Sequence, residues 1–365
     1  MRRMIKFIET LPFTGKGLIL GRFIDGEYQP PLIHRLLKPR LDGNALNGLG
    51  ETEHRRVGKI YHWVGEGPRG YPWFWVNVTF AIRTVREKTL GYGALTQEML
   101  NMAETTDKAN EAPLQRGIEP PTHSPSKWAV ILKAKAREFG AKDVGICRVT
   151  EDMLYEGRPS PGKYVLMIAA PMQYELARHI PEVKGLQATM HGYINANVTS
   201  LKLMHWLRDQ GIYCESGSGK PDKLVLIPAA IKAGIGQLGK HGSLISPTMG
   251  SLVRFSYVSF DLEVVVDGPV DFGSEDFCTH CQICTQYCPP EAISDRKQQV
   301  RGVEKWYVDF DKCVPYFNDT LGCGICISVC PWSNPETRPI LAPKMEIYKK
   351  KKDNLRDVIS IRQSE

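Results

Sequence analysis

Eight of the ten cysteines fall in two tight groups toward the C-terminal end of the chain. In CTHCQICTQYCPPEAI, Cys278, Cys281, Cys284 and Cys288 follow the spacing C-x2-C-x2-C-x3-C and precede Pro289. In CVPYFNDTLGCGICISVCPW, Cys313, Cys323, Cys326 and Cys330 end in a second x3-C-P, before Pro331. Thiolates at this spacing suit two [4Fe–4S] clusters, and in the paired arrangement the last Cys of each run ligates the other cluster. Cys278, Cys281, Cys284 and Cys330 are therefore expected on one cluster, and Cys288, Cys313, Cys323 and Cys326 on the other. Four thiolates also suit a tetrahedral zinc, but the third closely spaced Cys and the repeated C-P ending favour iron–sulfur chemistry. Two clusters sharing interleaved ligands pass electrons between them, and those electrons need an acceptor.

AGIGQLGKHGSLISP places Gly234, Gly236 and Gly239 in a formal G-x-G-x-x-G. A dinucleotide site needs a buried strand before it and a helix after it, whereas PAAIKA and KHGSLISP flank this one. It reads as a loop whose glycines let backbone approach a large ligand, or as a plain turn. SGSGKP carries Pro221 where a phosphate loop needs Ser or Thr. No D-x-H-x-x-G occurs, so a bound corrinoid would have no familiar His beneath it. Cys147 and Cys214 stand outside both groups and read as buried free thiols.

These groups need elements to hold them. SKWAVILKAKAREFGA predicts a helix that starts near Pro125 and Ser126 and closes at Gly140. DVGICRV, YVLMIAAP, LVLIP and LVRFSYVSF predict short buried strands. In YINANVTSLKLMHWLRDQG, the helical spacing of Ile194, Val198, Leu201, Met204 and Leu207 predicts a helix capped at Gly211. Helices alternating with strands indicate a mixed α/β core, and with the cysteine-rich module the chain reads as α+β. The expected division is an N-terminal region of unassigned fold at 1–123, the core at 124–272, a ferredoxin-like module at 273–340 and a basic tail at 341–365.

A chain of 365 residues is ample for two or three small domains. Cysteines clustered as metal ligands point to a reducing compartment or to anoxia. The opening MRRMIKFIETLPF has an Arg pair but no apolar export core, because Glu9, Lys16, Arg22 and Asp25 interrupt it; the expected location is cytoplasmic. No uncharged apolar run reaches the roughly eighteen residues a membrane span needs, and the aromatic patch at 71–82 is too short. The net charge of +7 includes the run Lys349 to Lys352, a solvated face or a contact for an acidic redox partner. No nucleic-acid fold signature accompanies it.

The motifs ILKAKAREFGAKDVGICRV, YVLMIAAPMQYE, GYINANVTSLKLMHWLRDQGIYCE and IPAAIKAGIGQLGKHGSLISPTMGSLVRFSYVSFDLEV, followed by the two cysteine runs, resemble the reductive dehalogenases in sequence order. They are similar, less closely, to epoxyqueuosine reductase. Over roughly residues 125 to 335, this resemblance implies a base-off cobalamin on a nitroreductase-like α/β core beside two [4Fe–4S] clusters, so that cobalt receives the electrons. It implies cofactor contacts at Tyr174, Gly234, Gly236, Gly239, His241, Gly242 and Ser243. Epoxyqueuosine reductases carry Asp-Tyr-His where this sequence has HGYIN, and Gly192 stands where their catalytic Asp would be. Tyr193 matches the dehalogenase tyrosine taken to donate a proton, at what reads here as a helix start. Lys240, where many dehalogenases have Arg, is expected to stabilise the Tyr193 phenolate or hold a departing halide. Gln237 replaces a Glu common in that loop.

The resulting expectation is a reductase acting on a small halogenated substrate. An external donor such as ferredoxin, flavodoxin or a flavin reductase reduces the clusters, they reduce cobalt, and Tyr193 supplies the proton. The alternatives are an epoxyqueuosine-reductase-like or other corrinoid-dependent reduction, and a corrinoid-binding or electron-carrier protein without turnover.

Overall fold

A computed structural model describes residues 21–30, 32, 43–56, 93–115, 117–217, 223–320 and 322–363. The opening segment, the aromatic patch at 71–82 and most of SGSGKP lie outside the described residues. In chain order the strands are β1 (Arg22–Ile24), β2 (Glu27–Gln29), β3 (Asp143–Arg148), β4 (Tyr164–Pro171), β5 (Cys214–Gly217), β6 (Gln237–Leu238), β7 (Leu244–Ile245), β8 (Val253–Phe260), β9 (Gln298–Val300) and β10 (Val303–Lys305). The helices are α1 (Gly43–Leu46), α2 (Gly93–Glu111), α3 (Pro125–Glu138), α4 (Tyr174–Ala177), α5 (Val183–Arg208), α6 (Leu226–Lys232), α7 (Ser274–His280), α8 (Ile283–Gln286), α9 (Phe310–Asp319), α10 (Ile325–Ser328) and α11 (Arg338–Gln363).

The core is a four-stranded sheet of order β3-β4-β8-β5, antiparallel at every pairing. YVLMIAAP becomes β4, one of its two central strands, with everything but Pro171 buried. Side chains alternate across a strand, so Leu166 and Ile168 enter one apolar layer with Trp128, Leu132, Leu203, Met204 and Leu207 from α3 and α5. Val165, Met167 and Ala169 enter the opposite layer with Ala229, Ala230 and Ala233. Each large side chain so buried contributes about 1.5–3 kcal/mol, and a central strand covered on both faces reads as a continuous apolar run.

The helix at 125 forms as expected: the Ser124 hydroxyl accepts from the Lys127 N–H, Pro125 opens the first turn, and Gly140 takes a left-handed φ of 120° just after the end. Two readings change. α5 begins at Val183, so Tyr193 lies well inside the helix, not at its start. LVLIP is not a strand; Leu224 makes a single bridge to Leu154 and the chain then turns into α6. Pro228 explains the difference, since it has no N–H for a ladder yet fits the first turn of a helix.

The N-terminal pieces grip the cluster module. Asn44 accepts from the Phe310 N–H and the Tyr307 hydroxyl, each at 2.8 Å, and Gly21 N–H donates to Asp319 at 2.7 Å. α2 packs on α5. At the other end, α11 runs across the boundary expected at 341, and Leu341, Ala342 and Met345 pack beside Trp332. Its lysines are partly paired, Lys349 with Asp271 at 2.7 Å and Lys352 with Asp276. No described helix is long and apolar enough to cross a membrane.

Candidate functional site

Gly273, in the left-handed conformation, turns the chain into α7. Gln237 caps that helix: its carbonyl accepts from Phe272 N–H, Ser274 N–H and the Ser274 hydroxyl, while its amide donates to Asp271 at 3.1 Å. A carboxylate here could not make the donation to Asp271, which is a physical reason for Gln at this position. α7 ends on Cys278 and Cys281, α8 carries Cys284, and the chain leaving α10 brings Cys330 back. These four thiols line one cavity with Lys240, His241, Phe277, Pro331 and Trp332. Among the described residues, no three Cys, His, Asp or Glu side chains converge tightly enough for a single metal ion; the four thiols surround a space instead.

Cys288 does not line that cavity. Its sulfur accepts from Ala292 N–H at 3.3 Å, and it lies close enough to raise the thiols of Cys313, Cys323 and Cys326, the last of which also feels Cys284. Burial first, and neighbouring thiols second, push Cys284 up to about 11 and Cys313 up to about 12. Cys326 rises well above the ordinary thiol value for the same reasons. Burial pushes Cys330 up to about 12, opposed in part by the nearby Trp332 N–H and Ser251 hydroxyl. Thiols kept protonated by burial and mutual repulsion are those that a metal cluster deprotonates on binding. Cys147 and Cys214 are also buried, but each stands alone and points its S–H at a carbonyl, of Ala229 and Met204 respectively.

The glycine loop is the β6–β7 hairpin. Gly234 has φ 77°, and a Cβ on Gly236 would lie 2.1 Å from the Ile245 carbonyl oxygen. The chain's own turn thus accounts for these glycines, as it does for Gly239, packed against the His241 ring, and Gly242, at φ 74°. His241 is buried and both ring nitrogens are engaged. Ser243 N–H donates to Nδ1 at 3.2 Å, so Nε2 carries the proton and donates to Ser251 Oγ at 2.8 Å. Burial holds its pKa down at about 4. Tyr174 opens α4 and packs, half buried, in the apolar group that includes Ile327 and Cys326.

Lys240 is not the exposed charge that a lone lysine usually is. It is 1% exposed, its ammonium donates to the Cys281 carbonyl oxygen at 2.8 Å, and it sits 4.9 Å over the Trp306 ring. The expected pairing of Lys240 with Tyr193 is therefore corrected: the hairpin turns this side chain toward the cysteine cavity. The cation at Tyr193 is Arg254 of β8, whose guanidinium lies 5.1 Å from the ring centroid. Arg254 escaped the sequence reading although it is the single charge in LVRFSYVSF, and a charge inside an apolar strand marks a position that needs an explanation. Gly192 makes room for it, because a Cβ there would lie 2.9 Å from Arg254 Cγ. Three buried polar atoms on α5 and β8 have no partner: His191 Nδ1, Asn197 Oδ1 and Arg254 Nε. Buried groups of this kind are normally satisfied by protein, water or ligand.

Residues 277–334, which include all eight clustered cysteines, match the 4Fe-4S dicluster domain; the C-terminal module is of that class. About half of the chain is similar in sequence to reductive dehalogenases. It is 28% identical over 201 residues to tetrachloroethene reductive dehalogenase of Sulfurospirillum multivorans, covering 53% of this chain and 39% of that one. A solved reductive dehalogenase described in terms of B12-dependent dehalogenation superposes with a TM-score of 0.67 at 23% identity, over 87% of this chain and 47% of that chain, which establishes a shared fold. Epoxyqueuosine reductase of Cellulophaga algicola is 30% identical over 138 residues, 32% of this chain and 41% of the relative. The chain thus spans less than half the length of these relatives.

Proposed function

We propose that this chain is an iron–sulfur- and corrinoid-dependent reductase that removes halogen from a small organic substrate. The observation carrying this reading is the arrangement between Lys240 and Arg254. That one segment borders a four-cysteine cavity at one end and sets a cation on Tyr193 at the other. The similarity to tetrachloroethene reductive dehalogenases supports it. In this reading Cys278, Cys281, Cys284 and Cys330 hold one cluster and Cys288, Cys313, Cys323 and Cys326 the other; the cavity shared by the first four supports the first set. The core is read as nitroreductase-like, and the donor as a ferredoxin, flavodoxin or flavin reductase.

The net reaction is R–X + 2 e⁻ + H⁺ → R–H + X⁻. Two clusters store the two electrons, and a bound corrinoid would supply the strongly reducing metal that breaks the carbon–halogen bond. His241, engaged at both ring nitrogens, is not free to serve as a ligand to it. The unpartnered polar atoms at His191, Asn197 and Arg254 suit a bound group that brings its own hydrogen-bonding periphery. Tyr193 donates the proton as a general acid, and Arg254 stabilises the phenolate left behind. Gly192 weighs against epoxyqueuosine reduction, since the acid of that chemistry would have to share its place with the Arg254 stem.

The test is anaerobic preparation with cobalamin, then iron, sulfide and cobalt analysis, followed by halide release from tetrachloroethene and a brominated hydroxybenzoate with a low-potential chemical reductant. About eight irons per chain are expected. Zinc without labile sulfide would sink the reading, and loaded cofactors with no halide from any organohalide would favour an electron carrier.

A further inference from the structure

We propose that Lys240 is the built-in counter-charge of the cluster held by Cys278, Cys281, Cys284 and Cys330, and that it raises that cluster's reduction potential relative to its partner's. The inference rests on the cluster assignment above and extends it to the unequal poise of the two clusters.

An ammonium 1% exposed is costly to desolvate. Among the described residues no carboxylate forms an ion pair with it. What surrounds it is the wall of the thiol cavity, which it lines itself. Nζ donates to the carbonyl of Cys281 at 2.8 Å and rests on the face of Trp306. Its bond to the carbonyl of one ligand residue and its place in the cavity wall thus address the same ligand set. An iron–sulfur cluster with four thiolates is anionic and gains a further negative charge on reduction. A fixed positive charge in a low-dielectric wall therefore favours the reduced form, and net charge and hydrogen bonds to sulfur are the levers that set such potentials.

The contrast with the second cluster is internal to the chain. Among the described residues the only buried lysine or arginine side chains are Lys240 and Arg208. Arg208 donates to the carbonyls of Ala109, Ala112 and Cys214, whereas Lys240 lines the cavity of the first set. An electron shared between the two clusters thus rests preferentially on the one beside Lys240.

The experiment is an anaerobic redox titration followed by electron paramagnetic resonance on wild type, Lys240→Met, Lys240→Gln and Lys240→Arg, each with its iron content measured. Gln keeps a donor for the Cys281 carbonyl but removes the charge, so it separates electrostatics from hydrogen bonding. In Met and Gln, the potential of the cluster lost in Cys330→Ala should fall, disfavouring its reduction by tenfold or more, where tenfold is about 59 mV for one electron. The other potential should stay put, and Arg should preserve both. Failure of Met and Gln to retain that cluster while Arg retains it would equally assign the charge to the cluster. Unchanged potentials in fully loaded Gln and Met variants would overturn the proposal, as would loss of the cluster in Arg too, which would make the position one of packing alone. A wild type without iron and sulfide fails earlier, at the cluster assignment itself.

Discussion

Replacing Arg254 tests the proton-donating site more sharply than replacing Tyr193 alone, because the size of the effect follows from a distance. The guanidinium lies 5.1 Å from the ring centroid. With an effective dielectric constant of about 20 for a partly buried pair, a unit positive charge at that separation stabilises a phenolate by about 3 kcal/mol. If the phenolate develops as Tyr193 gives up its proton, Arg254→Met should slow proton delivery by roughly two orders of magnitude. Arg254→Lys should recover part of the loss, since charge is kept but the planar fork is not. Tyr193→Phe removes the acid itself and should cost roughly 10²–10⁴-fold.

The assay is single-turnover halide release from pre-reduced enzyme with verified iron and cobalt, so that cofactor loss and donor kinetics do not enter. The double variant should be little slower than Tyr193→Phe, because without the hydroxyl no phenolate forms for the arginine to stabilise. Fully additive losses, or near-normal turnover in Arg254→Met with cofactors intact, would refute the argument and leave the contact as packing.

Three further outcomes are expected. Cys288→Ala should remove the cluster otherwise held by Cys313, Cys323 and Cys326 and spare the one beside it in sequence, which Mössbauer and paramagnetic resonance spectra of the iron will resolve. His241, held at about 4 by burial, binds fewer protons folded than unfolded between pH 4 and the ordinary value near 6.5. Stability should therefore fall as pH drops through that window, by up to about 3 kcal/mol, and denaturant titrations should show wild type losing its advantage over His241→Gln as they move from pH 7 to pH 5. Gly192→Asp places its Cβ against the Arg254 stem, so turnover should drop about as far as in Arg254→Met while both clusters remain, as halide release and iron content will show.

What could be read from the amino acids alone depended on how local its cause was. β4 was legible because a strand covered on both faces reads as a continuous apolar run, and β8 because its residues are mostly apolar or aromatic around the one charge of Arg254. The helix from Pro125 was legible because Pro125 and Ser126 mark its start and Gly140 its end. The first turns of α5 were not, since its N-cap, Glu182, makes no side-chain capping bond and Gly185 interrupts the apolar stripe where it packs on Ile180. LVLIP was ambiguous because five apolar residues suit a strand or a buried helix equally. At the site, cysteine spacing carried the two-cluster reading, being a chemical pattern in its own right, and residues 277–334 match a 4Fe-4S dicluster domain. The partner of Tyr193 was hidden because α5 meets β8 only in the folded sheet. Lys240 was visible but misdirected, because which wall it faces is decided by the β6–β7 turn.

That turn brings the two halves of the proposed chemistry together. Lys240 and His241 leave the hairpin toward the first cysteine set, and Ser251 closes the loop by accepting from His241 and donating its N–H to Ser333 Oγ, three residues beyond Cys330. The Leu252 carbonyl then receives Met172 N–H at 2.8 Å, tying the segment to the end of β4, and Arg254 reaches Tyr193 as β8 enters the sheet. A shift of the hairpin relative to the sheet would disturb the shell of a cluster ligand and the cation at the proton donor together. The proposed electron delivery and proton delivery would thus be positioned by one short stretch of backbone. Substitutions inside it, Ser251→Ala above all, should therefore move a cluster potential and the halide-release rate in the same variant, whereas Tyr193→Phe should change the rate alone.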